Sequence, residues 1–126
     1  MALEFKSTII KPTDFFGKLF QIRDQIHLSH LATKSFAQHV ALGEFYSNIL
    51  ELTDSLIESY QGKYGIINIT IQSSTKVDPI VALKELAKLT DGGKAYIEFK
   101  ETWIQNQLDE ISALTYQTLY KLENLK

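Results

Sequence analysis

Two long segments of helical apolar period lie almost end to end between residues 12 and 60. That arrangement constrains the fold more than any other feature of the chain. Pro12 and Thr13 open the first helix, which the pattern carries to about Lys34, with Phe16, Leu19, Phe20, Ile22, Ile26 and the Leu28/Leu31 region inward. Ser35 and Gln38 then form a Ser-x-x-Gln capping box, a reciprocal side-chain start signal. The second helix runs from Phe36 to about Tyr60 on Val40, Leu42, Phe45, Ile49, Leu52 and Leu56, and is expected to stop at Gly62. A connection of one or two residues forces the pair into an antiparallel hairpin.

Residues 62–77 differ. Tyr64-Gly-Ile-Ile-Asn-Ile-Thr-Ile-Gln alternates like an extended strand. A single strand has no partner, so this link reads as an extended crossover packed on a bundle. Asp78-Pro79 is a strong helix start, an acid at the cap followed by proline in the first turn. The third helix is expected to reach about Thr90, to break at Gly92-Gly93 and to resume through Ala95 to Phe99. Thr102 and Gln105 form a second capping box. The last helix is predicted from Trp103 to about Leu125, with Ile104, Leu108, Ile111, Leu119, Leu122 and Leu125 inward.

Lengths set the topology. A second helix of about 25 residues is ~38 Å long. A link of about 16 residues spans up to ~53 Å when extended. The link can therefore return along the bundle and start the third helix parallel to the second. Short, long, short connections predict an all-α, ferritin-like four-helix bundle with one long crossover between the second and third helices. At 126 residues the chain reads as one domain, residues 1–126.

Composition narrows the chemistry. The absence of cysteine excludes disulfides, thiolate metal sites and a cysteine nucleophile. A net charge of -2 argues against non-specific nucleic-acid binding as the main role. Asp91-Gly92-Gly93 reads as a helix stop and not as a phosphate cradle. No apolar run approaches the ~20 residues of a membrane span, and the first residues lack the basic-then-apolar order of a secretory signal. A cytoplasmic location is expected.

All three histidines, His27, His30 and His39, fall around the predicted hairpin turn. At 100° per residue, Asp54, Glu58 and Glu51 lie on the same side of the second helix as His39. Asp54 and Glu58 are i, i+4 neighbours able to share one metal. His39 is 15 residues from Asp54, or ~22 Å along the axis. One ion cannot touch both within a chain. Two separate sites satisfy this, and so does an antiparallel second subunit that brings its acids to His39. Asp24, His27 and His30 also share a face at i, i+3 spacing. Imidazole with carboxylate suits iron, manganese or zinc better than calcium or magnesium.

The stretch from His27 to Glu58 resembles the ferroxidase segment of the Dps-like miniferritins. There, two histidines 12 residues apart precede an aspartate 15 residues on and a glutamate four later, the intervals of His27, His39, Asp54 and Glu58. A closer resemblance is to small ferritin-like proteins of tailed bacteriophages. It rests on His27-Leu-Ser-His-Leu-Ala-Thr-Lys-Ser-Phe-Ala-Gln-His39, Ala41-Leu-Gly-Glu-Phe-Tyr46, Tyr60-Gln-Gly-Lys-Tyr-Gly65, Gln105-Asn-Gln-Leu-Asp-Glu-Ile111 and Thr118-Leu-Tyr-Lys-Leu122.

The resemblance implies an intersubunit iron site, histidines from one chain and acids from the other. It implies Fe(II) oxidation, protection from oxidative damage, and a homo-oligomer, at least a dimer and at most a larger shell. His30 is the alternative to His27 as the first ligand. Lys6 and Lys11 are all the lysines near the start, so any DNA binding is expected to be weak. The phage origin that the resemblance implies would place the protein in the host cytoplasm or with the virion. The alternative function is a non-catalytic, ferritin-like phage structural or interaction protein without metal.

Plainer roles are expected for other residues. Glu51, Asp109 and Glu110 read as solvated acids. Phe15, Phe16 and Phe20 read as packing, and Tyr46 and Trp103 as core or interface aromatics.

Overall fold

The computed structural model describes residues 10–91 and 99–126. Its helices are α1 (Pro12–Ala32), α2 (Phe36–Tyr64), α3 (Pro79–Asp91) and α4 (Thr102–Asn124). The protein is an all-α helical bundle. Most of the expected resumption of the third helix, through Ala95, lies outside the described residues, while Phe99 is buried in the core.

Helix ends explain themselves locally, and several differ from expectation. α1 stops at Ala32, short of Lys34, and leaves a three-residue turn. Thr33 organises that turn: its hydroxyl accepts from the Ser35 amide at 3.2 Å and donates to the Gln38 side chain at 2.8 Å. Ser35 Oγ accepts from the Gln38 amide at 3.2 Å. The capping box therefore closes through Thr33 instead of by direct return of Gln38 to Ser35.

α2 passes through Gly62 and ends at Tyr64. The stop is Gly65, whose φ of 92° suits a residue without Cβ. Nothing at Gly62 demands that freedom, and Lys63 and Tyr64 are held in the last turn by Glu101. At α3, Asp78 Oδ1 accepts from the Ile80 amide at 2.9 Å, as its sequence predicts. At α4 the cap residue is Glu101, and Thr102 is already helical. Gln105 donates to the Phe99 carbonyl at 2.9 Å, so the second capping box does not form.

Side-chain contacts fix the helix directions. His30 meets His39 at one end of the first hairpin, and Phe16 meets Tyr60 at the other. α2 is antiparallel to α4, since Lys63 pairs with Glu101 and Glu44 with Lys121. α3 is antiparallel to α4 through Asp91–Tyr116 and Lys84–Glu123. Lys18–Glu85 joins α1 to α3, and Ser29 meets Val77 just before α3 begins. α2 and α3 thus point the same way.

The residues between them run beside α1. Thr70 O sits on Gly17, Ser73 O accepts from Gln21, and Val77 O accepts from Ser29. Seven residues from Thr70 to Val77 cover twelve helical positions, or ~18 Å, about three-quarters of their fully extended reach.

The core is apolar and aromatic. Phe15, Phe16, Phe45, Leu19, Ile49, Leu56, Leu83 and Leu86 are fully buried. Phe16 packs edge-on against Tyr60 at 5.3 Å and stacks with Phe99 at 6.3 Å. The link contributes Ile67, Ile69 and Val77 to this core. Leu28, Leu31, Val40 and Leu125, expected inward, are exposed. The bundle covers each helix on a narrower stripe than the apolar pattern allows.

Candidate functional site

The α1–α2 turn gathers the three histidines on one side of the hairpin. The His30 and His39 rings stack with centroids 3.9 Å apart and planes 17° from parallel. Each ring also bonds the other's backbone. His30 Nδ1 lies 2.7 Å from His39 O, and His39 Nδ1 lies 2.9 Å from His30 O. A carbonyl oxygen only accepts, so each Nδ1 must carry a hydrogen. In the neutral rings each Nε2 is therefore left with its lone pair. Metal-bound imidazoles are commonly oriented by such a bond from the other ring nitrogen.

His27 is placed differently. Its ring stacks on Tyr46 with centroids 4.1 Å apart and planes 10° from parallel, and it lies 6.3 Å from His30. Neighbouring Asp24 turns to Arg23, 3.4 Å away.

Gly43 makes the His30 position possible. A Cβ built there would stand 2.9 Å from His30 Cε1 and 3.1 Å from Nδ1. One turn beyond His39, the missing side chain is the slot into which the His30 ring fits. The sequence offers no local signal for this, because the slot belongs to two helices.

Asp54 and Glu58 project from the exposed side of α2 and form no ion pair among the described residues. α2 is continuous from His39 to Glu58, so the ~22 Å separation from His39 to Asp54 stands. Among the described residues no group of three or more histidine or acidic side chains is arranged around one ion. One chain brings His27, His30 and His39 together but leaves Asp54 and Glu58 apart from them. The donor types fit iron, manganese or zinc; within one chain the full set does not converge. Glu51 is exposed, as a solvated acid should be.

A second polar cluster lies at the other end of α2. Glu101, 8 % exposed, accepts from Lys63 Nζ at 2.6 Å and from the Tyr64 hydroxyl. The lysine, then the phenol, hold the Glu101 carboxyl down to about 2, against its partial desolvation. The same bonds raise Lys63 and Tyr64 above their ordinary values. This cluster ties the end of α2 to the start of α4. Sequence reasoning missed it, since Glu101 is 37 residues from Tyr64.

Among the described residues no helix is long and apolar enough to cross a membrane. No solved structure matches the chain. It is similar to an uncharacterized 14.6 kDa protein of the mobD-ri intergenic region of Enterobacteria phage T4. The two are 27% identical over 113 residues, 89% of this chain and 88% of the relative. A family model described as a family of unknown function (DUF5856) matches residues 30–122, from the paired histidine His30 to the end of the α4 core, and the chain belongs to that family.

Proposed function

We propose that this is a ferritin-like, Dps-like protein that takes Fe(II) as substrate and oxidises it at a site shared by two subunits. The observation that carries the reading is the His30–His39 pair. Its Nδ1 atoms are both spent on carbonyls, which leaves the Nε2 lone pairs for a metal. His30 and His39 (with His27 behind Tyr46) would bind iron together with Asp54 and Glu58 of a neighbouring chain.

Three further features support it. The cyclic order α1–α2–α4–α3, with the link passing beside α1, is the arrangement expected of a ferritin-like bundle. His39, Asp54 and Glu58 lie on one side of a straight helix, so antiparallel pairing of two α2 helices brings unlike ligands together. Exposed Leu31 and Phe36, at the histidine end, would meet the far end of the partner's α2 in the same pairing.

Chemically, two Fe(II) each give one electron to a peroxide. Its O–O bond breaks, two protons are taken up, and two waters leave without release of hydroxyl radical. Dioxygen is the other oxidant the site would accept. Manganese or zinc would occupy the same donors without this turnover. The protein would limit oxidative damage in the host cytoplasm or accompany the virion.

The test is aerobic addition of Fe(II), followed by ultraviolet absorbance of Fe(III), with His39→Ala and Asp54→Ala beside the wild type. Acceleration over the protein-free blank, lost in both variants, is expected. Wild-type rates equal to the blank, with no metal retained by elemental analysis, would sink the reading.

That result would favour the alternative, a non-catalytic phage structural or interaction protein. Its supporting observation is that the three rings are already packed within the chain, His30 on His39 and His27 on Tyr46.

A further inference from the structure

Across the bundle from the first hairpin, α3 and α4 enclose a groove of about 460 Å³, a volume within the range of small-molecule sites. Its floor is apolar, since Ala87 and Leu119 are buried. Its two walls differ in chemistry. α4 contributes Tyr116 and Tyr120, about one turn apart, and α3 contributes Lys84 and Lys88 at the same spacing.

The tyrosine rings are open. Tyr116 is 49% exposed and Tyr120 is 59% exposed, and among the described residues neither packs against another aromatic ring. Two contacts hold the ends of the groove in place. The Tyr116 hydroxyl donates to Asp91 Oδ2 at 3.1 Å, and Lys84 pairs with Glu123 at 3.3 Å. The same contacts fix the register of the two antiparallel helices and set Lys88 level with Leu119, between the two tyrosines. Lys88 makes no ion pair among the described residues.

Each part selects a feature of the ligand. An open tyrosine face stacks on a flat ring. A lysine ammonium takes an anionic oxygen. With Glu123 spent on Lys84, the lining residues keep one cation in excess. That suits a single anionic group and gives no track for a chain of phosphates.

We propose that the α3–α4 groove binds a free nucleoside monophosphate, its base stacked on Tyr120 and Tyr116 and its phosphate on Lys88. The site shares no residue with the histidine pair and needs neither metal nor a second subunit.

The test is an NMR titration of the metal-free protein with adenosine monophosphate. Saturable shifts of the Tyr116 and Tyr120 ring protons are expected at millimolar concentration. Adenosine alone and inorganic phosphate alone should each bind at least about tenfold more weakly. Tyr120→Leu should weaken the nucleotide about tenfold, while Tyr120→Phe, which keeps the ring, should not. Lys88→Gln should bring the nucleotide down to the affinity of adenosine, with helical circular dichroism unchanged.

Absence of saturable shifts would overturn the proposal. So would shifts that survive Tyr120→Leu, or adenosine binding as tightly as its monophosphate. Tighter binding, per nucleotide, of a single-stranded oligodeoxyadenylate would also overturn it, since the ligand is then a polymer. The Fe(II) assay is read separately, on the other side of the bundle.

Discussion

Glu101 shows how much one residue can depend on two others. Its carboxylate is nearly buried yet charged, because Lys63 and Tyr64 both donate to it. Its folded value of about 2 lies below the ordinary 4.5. A depressed acid stabilises the fold above its unfolded value, and that contribution is lost as pH falls toward the folded value. Thermal stability of the wild type should therefore fall from about pH 4.5 down to about 2. Glu101→Gln should be less stable at neutral pH and show a flatter profile through that window, as read from melting temperature against pH. Gly43 is the opposite kind of residue, valued for what it lacks. Its empty side lets the His30 ring lie against α2. Gly43→Ala should displace that ring and break the stack with His39. The check is loss of ring-current shifts on both imidazoles by NMR.

At the scale of elements, helix ends and the link decide the architecture. The Asp78 cap starts α3 where the link arrives from α1. Asp78→Ala should cost about 1 kcal/mol, seen as a lower denaturant midpoint. Gly17 carries the middle of the link. Thr70 O presses on its α-carbon, so a Cβ there would overlap a backbone atom that cannot rotate away. Helix propensity alone favours Gly17→Ala by ~1 kcal/mol. Overpacking typically costs ~1–3 kcal/mol. A net loss of up to about 2 kcal/mol is expected, with faster amide exchange around residue 70. The elements themselves were legible from period and punctuation, as α1, α2, α3 and α4 lie close to where their apolar positions put them. Their ends were less so. Gly62 and Gly65 look alike in sequence, and the contacts of Lys63 and Tyr64 with Glu101 carry the helix past the first.

For the whole molecule, stability centres on the aromatic knot of Phe15, Phe16, Tyr60 and Phe99, where α1, α2 and the approach to α4 meet. Phe16 is fully buried and touches each of the others. Phe16→Ala should cost about 3–5 kcal/mol, enough to remove much of the stability of a domain this size. Denaturant unfolding followed by circular dichroism would measure it.

The sequence by itself determined the helices, the tight first hairpin and the gathering of three histidines at its turn. These follow from periodicity, capping chemistry and spacing, which act over a few residues. Only the tertiary structure decided that His30 pairs with His39 while His27 goes to Tyr46. It also decided that Gly43 makes room for the pair, and that Glu101 is held by residues far away in the chain. Each such contact depends on how separate helices lie side by side, and that position is set by packing of the whole core.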